Sequence, residues 1–254
     1  MIQTSHEDGV LHVMISRPEK KNALTAEMYA SLAEALQAGN TNTQVRAFAL
    51  YGEGDCFTAG NDLGDFLNNP PVNTDAPVYR FVAAIAAAEK PIVAAVSGAA
   101  VGIGTTMLLH CDLVYAAQSA RFRLPFVALG LCPEAGSSYL LPRIAGKAKA
   151  TELLLLGDRF GAEEALEIGL VNEVVADHDA AVQRATEIAA RIATLPPAAV
   201  RLTKSLIRAS TLDAVAATIE RESRHFVERL SSAEAKEAFA AFLEKRPPDF
   251  SQFQ

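Results

Sequence analysis

The sequence predicts an α/β fold: a core of alternating strands and helices, followed by a helical tail. Three observations predict it. Up to about residue 175, short apolar or β-branched runs take turns with segments whose apolar residues recur every three to four positions. Two of those runs, "VRAFALYG" and "PIVAAVSG", lead straight into glycine-rich loops. From "HDAAVQRATEIAARIATL" onward the spacing is helical, broken at Pro196–Pro197. The core is accordingly assigned to residues 1–195 and the helical region to 196–254.

The elements follow in order. "MIQTSHEDGVLHVMIS" reads as a hairpin around an Asp-Gly turn. Leu24, Met28, Leu32 and Leu36 line one face of a helix, with Thr25 as its N-cap and Gly39 as its stop. "VRAFALYG" is a buried strand, "EGDCFTAGNDLGDF" a glycine-rich loop, and "NNPPVNTDAP" a mobile surface loop. "VYRFVAAIAAAEK" is a helix ended before Pro91, "PIVAAVSG" a strand, "AAVGIG" a loop, and "TTMLLHC" the start of another helix. "DLVYAAQ" and "ARFRLPF" are short strands. "PEAGSSYLLPRIAG" begins helically with Pro133 in the first position. "KAKATELLLLG" and "GAEEALEIG" are helices, and "LVNEVV" closes the strands. No internal repeat stands out.

The composition narrows the function. The 254 residues carry a formal net charge of −7 and no Lys/Arg-rich run, which disfavours nucleic acid as a partner. Arg17, Lys20 and Lys21 form a local basic group suited to a small anion, or simply a solvated surface run. Cys56, Cys111 and Cys132 are far apart, without the spacing of a zinc site or disulfide framework, as in a cytosolic protein with reduced thiols. The five histidines are scattered and suggest no metal. No apolar run suits a bilayer span, and the N-terminus has no signal-peptide pattern, so a cytoplasmic location is expected.

Glycine loops after strands let the backbone approach a ligand and aim free N–H groups at it. Two such loops can supply two donors to one oxygen. Equally, glycine loops of this kind serve as tight turns with close packing. They do not fit the dinucleotide or P-loop patterns, and GxSxG is absent.

Taken together, "RPEKKNAL", "FTAGNDL", "AAVSGAAVGIG…HCDLVYA", "GAEEALEIGLVNEVV" and "AFLEKRPPDF" resemble the crotonase (enoyl-CoA hydratase/isomerase) superfamily, in order and over nearly the whole chain. The resemblance implies a spiral of ββα units and a helical C-terminal region used to form a homotrimer or a dimer of trimers. It also implies an acyl-CoA thioester as substrate, with no separate cofactor. It places the thioester oxygen on the backbone N–H groups of Asn61 and Ile103. It puts Ala59, Gly60, Asp62 and Leu63 along the thioester arm and Ala23 and Leu24 along the path of the CoA. Asp62 is better read as the cap of the next helix. Lys245 is a further CoA neighbour by the same analogy.

The resemblance also tells where acids belong. Hydratases of the superfamily place two glutamates at positions that here hold Thr106 and Phe126. Neither side chain moves a proton at neutral pH, which argues against water addition, and Phe126 becomes an apolar wall. Glu134 matches the base of the peroxisomal-type Δ3,Δ2-enoyl-CoA isomerases. An apolar pocket would raise its pKa, whereas a place in the first helical turn would lower it. Its neighbour Cys132 is read as a small hydrophobe. A hydratase or other crotonase-type enzyme would need a second polar group, with Thr106 and Ser137 as candidates. A non-catalytic acyl-CoA binder is the third reading.

Overall fold

The computed structural model describes residues 1–71, 73 and 75–253, without the side chain of Leu67. The hairpin is present: β1 (Ile2–Glu7) pairs antiparallel with β2 (Val10–Ile15), turning at Asp8 and Gly9, both with positive φ. The helix α1 (Ala26–Thr41) has Thr25 as its N-cap, with the hydroxyl accepting the Met28 N–H at 3.3 Å. It does not stop at Gly39. Gly39 lies inside it because a Cβ there would sit 2.3 Å from the Phe48 ring, so the glycine serves packing rather than termination.

Three strand–strand–helix turns follow. The strand β3 (Ala47–Gly52) leads to a bridge at Thr58 and then to α2 (Leu63–Asn68) and α3 (Pro77–Ala86). The strand β4 (Ile92–Val96) leads to β5 (Ala99–Val101) and α4 (Ile103–Thr106), which tightens into a 3₁₀ turn at Met107–His110. The strand β6 (Leu113–Ala117) leads to β7 (Arg121–Arg123) and α5 (Ser137–Leu156). Each turn sends its first strand to one sheet and its second to another. This is the spiral the resemblance implies, and a repeat that the sequence conceals because each turn differs in length and residues. "AAVGIG" is therefore half strand, since Ala99–Val101 pairs with β7. The expected loop "EGDCFTAGNDLGDF" likewise ends in α2. The mobile loop expected around 69–76 includes residues 72 and 74, which lie outside the described residues.

The last strands close both sheets. The strand β8 (Phe160–Gly161) pairs with β7, then α6 (Ala162–Glu167) returns the chain to β9 (Glu173–Val175) beside β6. Among the described residues the large sheet has the order β1-β2-β3-β4-β6-β9 and the small one β5-β7-β8. The alternation of β3 and β4 is the two-sided burial expected of parallel strands. Ala47, Ala49, Val93 and Ala95 face α7 (His178–Ala193), which presents Ala181, Ala185 and Ala189 at a four-residue spacing. Phe48, Leu50, Ile92 and Val96 face the main core.

The tail comprises α8 (Pro197–Arg208), α9 (Leu212–Leu230) and α10 (Ala233–Glu244). In α8 the buried residue is Lys204, whose ammonium sits 2.6 Å from Asp112, while Leu202, Leu206 and Ile207 are exposed. In α9 the sequence suggested charge on more than one face, yet Glu222 is buried beside Ser223 and Phe226. No helix among the described residues is long and apolar enough to cross a membrane.

Candidate active site

The two glycine loops pack directly on one another. Thr58 N–H donates to Ala99 O at 2.9 Å, and Val101 N–H donates to Thr58 O at 3.1 Å. A Cβ on Gly60, which has φ +86°, would lie 2.5 Å from Val101 O, and one on Gly104 would lie 2.7 Å from Thr58 Cγ2. Close packing of the two loops is therefore one role these glycines serve. Asn22, fully buried, ties the first loop down. Its amide donates to Glu53 O at 2.9 Å and Cys56 O at 2.6 Å, and its own carbonyl accepts the Thr58 hydroxyl at 2.7 Å. Sequence reasoning quoted this asparagine within "RPEKKNAL" but gave it no role.

Asn61 follows Gly60, and Ile103 is the first residue of α4. Among the described residues neither N–H has a protein acceptor, the ordinary state of a helix's first N–H. The Asn61 side chain is occupied separately, its carbonyl accepting the Tyr29 hydroxyl. Asp62 caps α2, accepting the Asp65 N–H at 3.0 Å, and pairs with Arg17 at 2.6 Å. The cap bond and the guanidinium hold its carboxyl below the usual carboxylate range.

Glu134 lies on an irregular segment, not in a helix. The expectation of a helix starting at Pro133 fails: α5 begins at Ser137, because Ala135 and Gly136 both take left-handed φ, +56° and +74°. The helical-turn effect on Glu134 is thus removed, and burial decides. Glu134 is 9% exposed and its pKa is pushed up to about 8, chiefly by desolvation. The Thr106 hydroxyl donates to its Oε1 and opposes that rise, while the nearby charge of Glu222 adds to it. Thr106, which the resemblance sets at a hydratase's acid position, is therefore a hydrogen-bond partner of Glu134. His110, kept neutral by burial with a pKa near 4, donates from Nε2 to Ala135 O at 2.7 Å.

Ala23, Ala59, Gly60, Asn61, Asp62, Leu63, Ile103 and Glu134 line one cavity of about 620 Å³. Leu24 does not join them. It is 1% exposed, bonded through its backbone to Gly60 O at 2.8 Å, and borders a separate smaller cavity. Phe126 lines the main cavity as the expected wall, with Phe66, Tyr79, Leu131, Phe226 and Phe239. Lys20 reaches this cavity; Lys21 and Lys245 are not among its lining residues. In place of Lys245 the tail contributes Arg246, and the core contributes Arg123. Sequence reasoning missed Tyr79, Arg123, Arg246 and Glu222. For Arg246 the signal was its place in "EKRPPDF". Glu222 gave none, since one glutamate in a charged helix looks solvated. Among the described residues no group of three or more His, Cys, Asp and Glu side chains could hold a metal ion.

Residues 5–253 match the Enoyl-CoA hydratase/isomerase family, and the chain belongs to it. It is 38% identical to 1,2-epoxyphenylacetyl-CoA isomerase of Escherichia coli, over 96% of each chain. It is also 38% identical to enoyl-CoA delta isomerase 2 of Homo sapiens, over 94% of this chain and 62% of that protein. Relatives named as hydratases match as well. The fold superposes on an enoyl-CoA hydratase/isomerase from Pseudoalteromonas atlantica with a TM-score of 0.93 and 49% identity, over 98% of this chain and 99% of that one. The chain is thus an enzyme of a CoA-thioester family with the crotonase fold.

Proposed function

We propose that the protein is a Δ3,Δ2-enoyl-CoA isomerase, moving the double bond of a 3-enoyl-CoA into conjugation as a trans-2-enoyl-CoA. The observation that carries this is the solitary state of Glu134. Of the two carboxylates that line the cavity among the described residues, Asp62 is paired with Arg17 and capping α2. Among the described residues Glu134 has no cation partner and one hydroxyl donor. Adding water calls for a second acid or base, whereas moving a proton between two carbons of one substrate needs one group.

In this reading the carboxylate of Glu134 removes a proton from C2, and the electrons delocalise into a dienolate with its charge on the thioester oxygen. The free N–H groups of Asn61 and Ile103 stabilise that charge, by about 3 kcal/mol each as in comparable oxyanion holes. Glu134, now protonated, returns the proton to C4. A pKa of about 8 suits both halves: the carboxylate is a stronger base than an exposed one, and its conjugate acid remains a usable donor near neutrality. The apolar wall of Phe66, Phe126, Leu131 and Phe226 accepts the acyl chain, and Lys20 lines the same cavity as a cation for an anionic carrier, whereas Arg246 is already paired with Glu237 and Glu244. No redox group is required. The homotrimer belongs to the same proposal. The exposed Leu202, Leu206 and Ile207 of α8 form an apolar stripe that a second copy would cover.

The test is a panel of 3-enoyl-CoA and 2-enoyl-CoA substrates with wild type and Glu134→Gln. Conjugation of 3-enoyl-CoA, followed by the absorbance of the 2-enoyl thioester, supports the reading. Loss of 2-enoyl absorbance without isomerisation of 3-enoyl-CoA would instead make the protein a hydratase.

A further inference from the structure

We propose that Glu222, supplied by the helical tail, is a positioning residue for Glu134: it clamps the backbone that follows the base and so holds the base at the cavity wall. This rests on the reading of Glu134 as the base.

The geometry is specific. Glu222 Oε2 accepts the Gly136 N–H at 2.6 Å and Oε1 accepts the Ser138 N–H at 2.9 Å, so one carboxylate holds both the N-cap of α5 and a residue of its first turn. Glu222 is 6% exposed. Burying a carboxylate there is unfavourable without strong donors, and these two N–H groups are the donors. They are needed locally too. Gly136 occupies the N-cap of α5 but has no side chain to cap it, and the residue before it, Ala135, holds a left-handed φ of +56° that an alanine disfavours. Two residues upstream of Gly136 sits Glu134. A cap carried in from 86 residues away thus fixes the conformation of the segment bearing the base. The base is held from three other elements: Thr106 of α4 bonds its carboxyl, His110 bonds the next carbonyl, and Glu222 of α9 bonds the residues beyond. A site built on an irregular segment depends on such support.

A purely structural cap would affect stability alone. Glu222 does more, because its charge faces that of Glu134 and raises the latter's pKa. The other groups facing Glu134 are the Thr106 hydroxyl from α4, the phenols of Tyr29 from α1 and Tyr79 from α3, and the Cys132 thiol from its own segment. Burial raises both phenols, so they stay neutral. Around Glu222 stand Arg221 on its own helix and Ser138 and Cys132 on the facing segment; burial raises the Cys132 thiol to about 11, so it too is neutral. Burial raises the Glu222 carboxyl as well, but the bonds from Ser138 and Gly136 and the charge of Arg221 oppose that rise, whereas Glu134 accepts no backbone N–H.

The experiment titrates Glu134 directly. Its carboxyl stretch, identified in infrared difference spectra by its loss in Glu134→Gln, is followed against pH in unliganded wild type, Glu222→Gln and Glu222→Asp, beside kcat and KM for 3-enoyl-CoA. Glu222→Gln keeps the shape but removes the charge and one acceptor. Its Glu134 midpoint is expected to move to lower pH, with kcat falling about tenfold and KM changing little. Glu222→Asp keeps the charge at shorter reach and should leave the midpoint near wild type while recovering part of kcat. An unmoved midpoint in Glu222→Gln, or an unchanged kcat, overturns the proposal. If Glu222→Gln does not fold, Glu222→Asp decides, since a wild-type kcat there overturns it equally. A midpoint shift in a protein that shows no isomerase activity refutes the isomerase reading and leaves the hold of Glu222 on Glu134 standing.

Discussion

The two halves of the candidate site are built in opposite ways. The half that would bind the thioester oxygen is made of backbone: two loops pressed together at Gly60 and Gly104, offering the N–H groups of Asn61 and Ile103. The half that would move the proton is one side chain, Glu134, on a segment with no regular structure, held by Thr106, His110 and Glu222 from three other parts of the chain. In the first half the path of the backbone matters and the side chains of the two donor residues, Asn61 and Ile103, do not. In the second, identity is everything and the conformation is supplied from outside.

The largest expected break in this contrast is Glu134→Gln, which keeps size and removes the base. Isomerisation should fall by about 10³-fold, within the usual range for a positioned base, with the fold intact by circular dichroism. The same variant tests the burial of the carboxyl. Its folded pKa, near 8, lies above its unfolded value, so the protonated group favours the folded state. That contribution is present below the unfolded pKa and is lost as pH rises through about 8. Glu134→Gln, which cannot ionise, should therefore gain on wild type in urea midpoint as pH rises from about 5 to about 8, and hold that gain above it. Equal pH dependence would show that Glu134 is more hydrated than the structure has it.

Next in size is Gly60→Ala. The added Cβ meets a backbone oxygen at 2.5 Å and the φ of +86° disfavours any L side chain, so about 2–3 kcal/mol of stability should be lost. The displaced Asn61 N–H should lower kcat by about 10²-fold, with thermal denaturation and steady-state kinetics as the readouts. Asn61→Ala keeps the N–H and should cost far less, although it releases the Tyr29 hydroxyl.

This difference also governs what the sequence reveals. The two loops were legible as glycine-rich turns after β-branched strands, but Asn61 and Ile103 entered as donors only through the resemblance, because the glycine pattern alone reads as close packing. Glu134 was legible through resemblance, and the absence of acids at Thr106 and Phe126 gave it meaning. Its supports were not legible. The helix predicted from Pro133 looked reasonable by local preference, and only the long-range bonds of His110 and Glu222 show why Ala135 and Gly136 leave the helical region. Nor could spacing show that Leu24 points away from the cavity while Arg246 points in. The three spiral turns share a path through two sheets but little sequence, so the repeat emerged only in the pairing of Thr58 with Ala100 and of β5 with β7.

A smaller effect is expected from Thr106→Val. The hydroxyl bond favours the ionised form of Glu134 and lowers its pKa against the rise from burial. Removing it should move the alkaline-rising limb of kcat/KM to higher pH and cut the rate at pH 7 several-fold, about 1 kcal/mol for one lost bond. The maximal rate at high pH should be less affected, because the carboxylate that forms there is the stronger base.

The smallest effect on turnover should come from Ile103→Ala, which is the sharpest statement of the contrast. The side chain is 3% exposed and belongs to the main core, so its truncation should cost about 2–4 kcal/mol of stability. The N–H stays where it is, fixed by Gly102 before it and by the Thr105 and Thr106 bonds to Gly102 O at 2.8 and 3.0 Å. At a temperature where the variant remains folded, kcat should therefore stay within about threefold of wild type, a difference of under 1 kcal/mol in the barrier. Stability and turnover thus separate at this residue, the reverse of Glu134, where turnover is lost and stability is kept. Should Ile103→Ala lose turnover as steeply as Gly60→Ala, its side chain would belong to the chemistry after all. The division between a backbone half and a side-chain half would then have to be redrawn.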